Sequence, residues 1–167
     1  MGALDPGTPF PSIALRDESG APVAPPAGET LYAVFKTTCP TCELTWPYLE
    51  RIRRIGNGST KDGQAVGLNI VAVAQDDPPK SRAFADRLGT HLKTAYDANP
   101  WPASDALGVT TVPTLFRVGA DGQVAETIVG FDRERLSTLA RRAAALAGTP
   151  PAELFRPDDS APAIKPG

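Results

Sequence analysis

The 167 residues carry a formal net charge of −2, with 22% charged and 41% hydrophobic side chains, a balance that fits one globular domain with a substantial core. That charge leaves no broad electrostatic footprint for nucleic acid or an anionic membrane surface, and the longest apolar stretch, from Leu68 to Ala74 around Asn69, is too short to span a bilayer. The opening Met1-Gly2-Ala3-Leu4-Asp5-Pro6 lacks the basic and apolar regions of a secretory signal, so the expectation is a cytoplasmic protein as the chain stands, or a periplasmic one if an export segment has been removed.

Residues 1–30 are rich in Pro and Gly, with Phe10, Ile13 and Leu15 ahead of the turn-forming Asp17-Glu18-Ser19-Gly20; they predict a small hairpin or irregular extension laid on the domain. Leu31-Tyr32-Ala33-Val34-Phe35 is almost wholly apolar and predicts a central strand buried on both faces. The tetrapeptide Cys39-Pro40-Thr41-Cys42 follows. Behind it Tyr48, Leu49, Ile52 and Ile55 recur at helical spacing until Gly56-Asn57-Gly58, and Pro47 is expected to kink that helix. A polar loop is predicted over 56–66, then a second buried strand at 68–74. Asp77 as N-cap and Pro78 at the first helical position start a helix over about 79–88, closed by Gly89. Residues 90–111 read mostly as loop, with one helical turn at 103–107. The segments 113–118 and 124–129 flank Ala120-Asp121-Gly122-Gln123 as an antiparallel hairpin. Asp132 caps a last helix with Leu136, Leu139, Ala143 and Leu146 on one face, ended by Gly148. The domain is thus set at 1–148, including the extension. Residues 149–167, with five prolines, form a tail expected to be extended or disordered, pinned at most by Leu154 and Phe155. The order β-α-β-α-β-β-α after the hairpin gives an α/β fold: a mixed central sheet with helices on both faces.

Two cysteines cannot build a disulfide scaffold, and with His91 the only histidine a zinc site lacks ligands, so no metal is expected. The pair stands where a buried strand passes into a helix. A thiolate there meets unpaired backbone N–H groups and the positive end of the helix dipole, which favour the anion. Cys39 is therefore assigned as attacking nucleophile and Cys42, one turn further in, as resolving thiol. Pro40 fits the first helical turn, and the Thr41 hydroxyl can reach the neighbouring sulfur. Attack on a partner disulfide, a mixed disulfide and release by the second thiol require this spacing. No cofactor beyond the Cys39–Cys42 disulfide is called for.

The stretch Leu31 to Cys42, with Pro47, resembles the active-site strand and motif of thioredoxin-like proteins, and Gly108-Val109-Thr110-Thr111-Val112-Pro113-Thr114 resembles the segment carrying that superfamily's cis-proline. The resemblance spans roughly residues 8–147, includes Gly130, and with the N-terminal extension and the inserted helix at 79–88 it points to the redoxin branch of TlpA/ResA-type reductases and peroxiredoxins. It implies a thioredoxin-like fold, a cis bond between Val112 and Pro113, and a Val112 backbone turned outward to pair with an extended substrate segment. It also implies protein thiols or disulfides as partners, together with an upstream electron donor or acceptor protein. Ala33 stands where thioredoxin has a buried Asp, and Thr38 where it has a Trp, so a general disulfide reductase is not implied. Direction, as reductase, oxidase or isomerase, is left open by the residues.

Rival readings are a peroxiredoxin-like peroxidase and a non-enzymatic adaptor with an inert disulfide. The peroxidatic pattern places a Thr three residues before its cysteine and a Pro four before that; here those positions are Lys36 and Tyr32. A copper chaperone needs three residues between its cysteines. His91, the Glu43–Lys36 neighbourhood and the pairs Arg53-Arg54 and Arg141-Arg142 read as solvated surface, and Trp46 and Trp101 as packing.

Overall fold

β1 (Thr30–Phe35) is buried along its whole length, as an apolar run between polar boundaries requires. The computed structural model describes residues 2–56, 58–59 and 65–167. After β1 come α1 (Pro40–Ile55), β2 (Gly58–Ser59), β3 (Ala65–Val66), β4 (Asn69–Ala74), α2 (Pro78–Leu88), β5 (Lys93–Tyr96), α3 (Pro102–Ala106), β6 (Thr114–Val118), β7 (Val124–Val129), β8 (Phe131–Asp132), α4 (Arg133–Ala147) and β9 (Ile164–Lys165). The polar loop anticipated at 56–66 lies largely outside the described residues.

The main sheet has the order β5-β4-β1-β6-β7. β4 runs parallel to β1 and β5 parallel to β4, while β6 and β7 return antiparallel. This is the expected mixed sheet with one more strand than the sequence pattern gives. β5 corrects the loop anticipated over 90–111. Its Lys93 is exposed and only Ala95 and Tyr96 are buried, so no apolar run betrays it; the free edge of β4 recruits it through the pairs Val71–Lys93 to Ala74–Tyr96.

Alternation along β1 divides the core. Leu31, Ala33 and Phe35 face the side covered by α1, α2 and α4, together with Trp46, Leu49, Ile52, Phe84 and Leu136. Tyr32 and Val34 face the other side with Leu15, Leu107 and Phe116, under the N-terminal extension and α3. The extension is irregular, as anticipated. Its Asp17 turn brings Val23 N–H to Leu15 C=O, and Arg16 exchanges two backbone hydrogen bonds with Tyr96 of 2.8 and 3.1 Å, closing the end of the β5 edge. Asp77 and Asp132 cap α2 and α4 by accepting from Lys80 and Arg135 backbone N–H groups.

Residues 149–167 run back along α1. Leu154 is 2% exposed, and Phe155 packs on Tyr48 with ring centroids 4.5 Å apart. The Arg51 guanidinium donates to both carboxylate oxygens of Asp159, at 2.6 and 3.2 Å, and holds that carboxyl down at about 2. β9 then pairs antiparallel with β8. Among the described residues no helix is long and apolar enough to cross a membrane.

Candidate active site

The end of β1 and the start of α1 create the site. The backbone turns at Lys36 and accepts from Cys39 N–H at 3.3 Å. The helix then opens with Pro40 at its first position, where a missing N–H costs nothing. Cys39 is the N-cap, and its Sγ accepts from Cys42 N–H at 3.1 Å. Sulfur here takes the place usually filled by a Ser or Asp oxygen, and the bond strengthens when the sulfur is anionic.

The second half of the site arrives from the start of β6. β1 and β6 are antiparallel and Val34 pairs with Thr114, so residues 111–113 lie beside the end of β1. The Val112–Pro113 peptide is cis, and Cys39 Sγ–H donates to Val112 C=O at 3.3 Å, across 73 residues of chain. Pro113 C=O accepts in turn from Gly130 N–H at 2.8 Å, tying this loop to the end of β7. Cys39, Cys42, Val112 and Pro113 are thus brought together.

Exposure separates the two sulfurs. Cys39 is partly exposed, whereas Cys42 is completely buried (0%). Burial is the main reason the Cys42 thiol is pushed well above its ordinary value; the neighbouring Cys39 and the Asp76 charge add to the rise, and the Lys36 backbone N–H opposes it. Ala33, also 0% exposed, offers no group to share the Cys42 proton.

The remaining expected residues divide. Pro40 and Thr38 are exposed at the rim. Thr41 is buried, and its hydroxyl donates to Pro166 C=O at 2.6 Å, which corrects the expectation that it serves a sulfur: the tail presents a carbonyl, a stronger acceptor than a thiol. Glu43 pairs with Arg87 of α2 at 2.9 Å, both partly exposed, and Arg53 and Arg54 pair with Glu50. Trp46 is core, against Phe35 and Phe84. Trp101 is only half-buried and carries the Lys36 ammonium 4.3 Å above its ring, beside a small cavity that also touches Gln75 and Val112.

Two positioning carboxylates escape sequence reasoning. Asp76 accepts from Thr37 N–H at 2.7 Å and fixes the loop before Cys39. Asp97, 2% exposed, accepts from Ala103 N–H, Ser104 N–H and the Ser104 hydroxyl at 2.7 to 3.0 Å. Ser104 also accepts from Gln75, whose C=O receives the Trp101 indole N–H. This hub anchors α3, which leads into the Val112–Pro113 loop. The only signal in sequence is an Asp near a Pro-rich turn, shared by many solvated loops.

A family model described as Redoxin matches residues 5–145. Among solved structures, a thiol:disulfide interchange protein of the thioredoxin family from Chlorobium tepidum is 22% identical with a TM-score of 0.62, covering 86% of this chain and 97% of its own. A secreted Mycobacterium tuberculosis disulfide oxidoreductase homologous to E. coli DsbE is 18% identical with a TM-score of 0.59, covering 80% and 96%. StoA from Bacillus subtilis is 16% identical with a TM-score of 0.58, covering 76% and 94%. At these identities the likeness carries the thioredoxin-like fold. No curated protein matches the sequence.

Proposed function

Because this chain belongs to the Redoxin family, we propose that it is a thiol–disulfide oxidoreductase that exchanges a Cys39–Cys42 disulfide or dithiol with partner proteins. In the reducing direction the Cys39 thiolate attacks a partner disulfide. One Cys39–partner S–S bond forms and one partner thiolate leaves. Cys42 then loses its proton and attacks Cys39 Sγ, which releases the second partner thiol and leaves the Cys39–Cys42 disulfide; two electrons have passed to the partner. Oxidation of a dithiol partner is the reverse. The electrons reside on the two sulfurs, so no separate cofactor enters, and a second protein supplies or withdraws them.

One observation supports this reading above the rest. The Sγ of a partly exposed Cys39 sits at the helix N-terminus, 3.1 Å from Cys42 N and 3.3 Å from Val112 O, beside a wholly buried second cysteine. Burial raises the Cys42 thiol, so its proton must leave from an apolar place before it can attack Cys39. Peroxidase chemistry finds no support at Lys36, whose ammonium lies on Trp101 instead of offering a hydroxyl to peroxide.

The test is to alkylate the reduced protein at pH 6 and map the label, then to trap a mixed disulfide in Cys42→Ser with a disulfide-bridged peptide. Cys39 is expected to take both. Labelling of Cys42 first, peroxide turnover, or a pair that never equilibrates with glutathione would each overturn the proposal. The measured potential sets direction: about 30 mV against the compartment's poise is roughly 1.4 kcal/mol for a two-electron couple.

A further inference from the structure

The groove beside Cys39 is already filled by the chain itself. β9 adds Ile164 and Lys165 to the β8 corner, opposite Asp132 and Phe131, and Arg133 N–H donates to Ala163 C=O at 2.9 Å. Pro166 C=O takes the Thr41 hydroxyl at 2.6 Å. Gly167 comes so close to the cis-proline loop that a Cβ on it would collide with Val112 C=O and stand 2.8 Å from Thr111 Oγ1. On the opposite wall Gly130 has φ +77°, and a Cβ there would lie 2.7 Å from Lys165 C=O. Gly130 on the wall therefore leaves room for a polypeptide backbone, and Gly167 of the incoming segment passes the Val112 wall where no side chain would fit.

We propose that residues 164–167 are a built-in stand-in for substrate, a strap across the groove of Thr41, Val112 and Gly130–Asp132 that an extended segment of the partner protein must displace. The proposal rests on the thiol–disulfide reading and names its substrate class. The partner offers an extended backbone, paired as an added strand and read by the Thr41 hydroxyl; a small thiol has no such backbone.

The strap is made to leave. Its anchor is strong: Leu154 is in the core and Asp159 is clasped by Arg51. Beyond the anchor, contact is by backbone. Ile164 is 68% exposed, the most exposed large apolar side chain among the described residues, and Pro166 and Gly167 are also exposed. With so little apolar surface buried past Ala163, a few hydrogen bonds hold the strap shut, each a modest net contribution. A partner that finds only the open fraction of molecules binds more weakly by that fraction.

Two variants open the strap and leave the core alone. Gly167→Val puts a side chain where Val112 C=O stands, and Lys165→Pro removes the strand N–H that faces Phe131, because the Arg133 N–H to Ala163 C=O bond makes Phe131–Lys165 the hydrogen-bonded pair of this antiparallel ladder. Each is compared with the parent chain for binding of a cysteine-free extended peptide and for exchange with the same peptide bearing a mixed disulfide. Circular dichroism checks the fold, and iodoacetamide checks the reactivity of Cys39 itself. Five- to tenfold tighter peptide binding and faster exchange are expected in both variants, with iodoacetamide rates within twofold of the parent. Binding constants equal to the parent's within twofold in both would overturn the strap. Binding does not depend on redox chemistry, so a chain that binds as expected but exchanges no disulfide overturns the function and leaves the strap standing.

Discussion

Replacing Leu154 with Ala tests whether residues 149–167 are part of the folded domain. The side chain is 2% exposed and lies in the principal core cluster with Tyr48, Leu49 and Phe131. A buried Leu→Ala change costs about 2 to 5 kcal/mol, part transfer and part cavity. Here an upper limit applies, because the segment can peel away instead of keeping a cavity, and the loss cannot exceed what docking contributes. Docking is made chiefly of Leu154, the tilted packing of Phe155 on Tyr48 at 4.5 Å and the Arg51–Asp159 pair at 2.6 Å. A partly exposed ion pair adds only about 0 to 1 kcal/mol and burial of Leu about 1.5 to 3, so about 2 to 3 kcal/mol is expected. For a chain of this length that is a fall in Tm of roughly 4 to 12 °C, at about 2 to 4 °C per kcal/mol. Urea titration followed by far-ultraviolet circular dichroism measures it. Adding Phe155→Ala should cost less than in the parent, since the first change has already loosened the same segment. A loss below about 0.5 kcal/mol for Leu154→Ala would show that nothing in the fold depends on the segment, and the reasoning would fail.

Three further outcomes are expected. Ala33→Asp places a carboxyl at a wholly buried site between Ala72 and Leu115; a loss of about 3 kcal/mol or more in urea unfolding is expected, and a loss under about 1 would show that water reaches the position. Asp97→Asn keeps the shape but turns one acceptor of the Ala103–Ser104 hub into a donor, for a loss of about 2 kcal/mol; amide exchange over 102–113 should rise with it. The Cys42 thiol lies above its ordinary value in the folded state, so its contribution is fully present below the unfolded pKa of about 8.5 and is lost as pH rises, because the unfolded chain releases a proton that the folded chain keeps. The urea midpoint of the reduced protein should fall between pH 7.5 and pH 9.5, and Cys42→Ala should flatten that fall; an equal slope in both would remove Cys42 as its cause.

Sequence makes plain the elements whose signals are local. Asp77 and Asp132 act through their own helix starts, Gly89 and Gly148 end the helices they follow, and the apolar run of β1 needs no partner to be recognised. The cysteine pair and Pro113 are also local in this sense, and the structure brings Cys39 to the Val112 carbonyl that precedes Pro113. What escaped depends on partners far along the chain. β5 is a strand because β4 offers an edge, and its Lys93 and Thr94 carry no mark of it. Asp76 and Asp97 look like solvated loop acids until the N–H groups they serve are in place. The docking of 164–167 is almost wholly backbone, which composition cannot record. Local sequence points the Thr41 hydroxyl to sulfur because the carbonyl it serves, 125 positions away, has no local signature.

The antiparallel return of β6 along β1 also fixes when reactivity comes under control. Cys39 and the carbonyl it faces are 73 residues apart. At translation rates of about 5 to 20 residues per second, roughly 4 to 15 s separate their synthesis. Through that interval a nascent chain displays two thiols with no groove to select what they meet, and the closure entropy of so long a loop must be met before the groove can form. Selectivity waits for the Val112–Pro113 segment to be made. The strap, which follows every groove residue along the chain, covers the groove only once the groove exists.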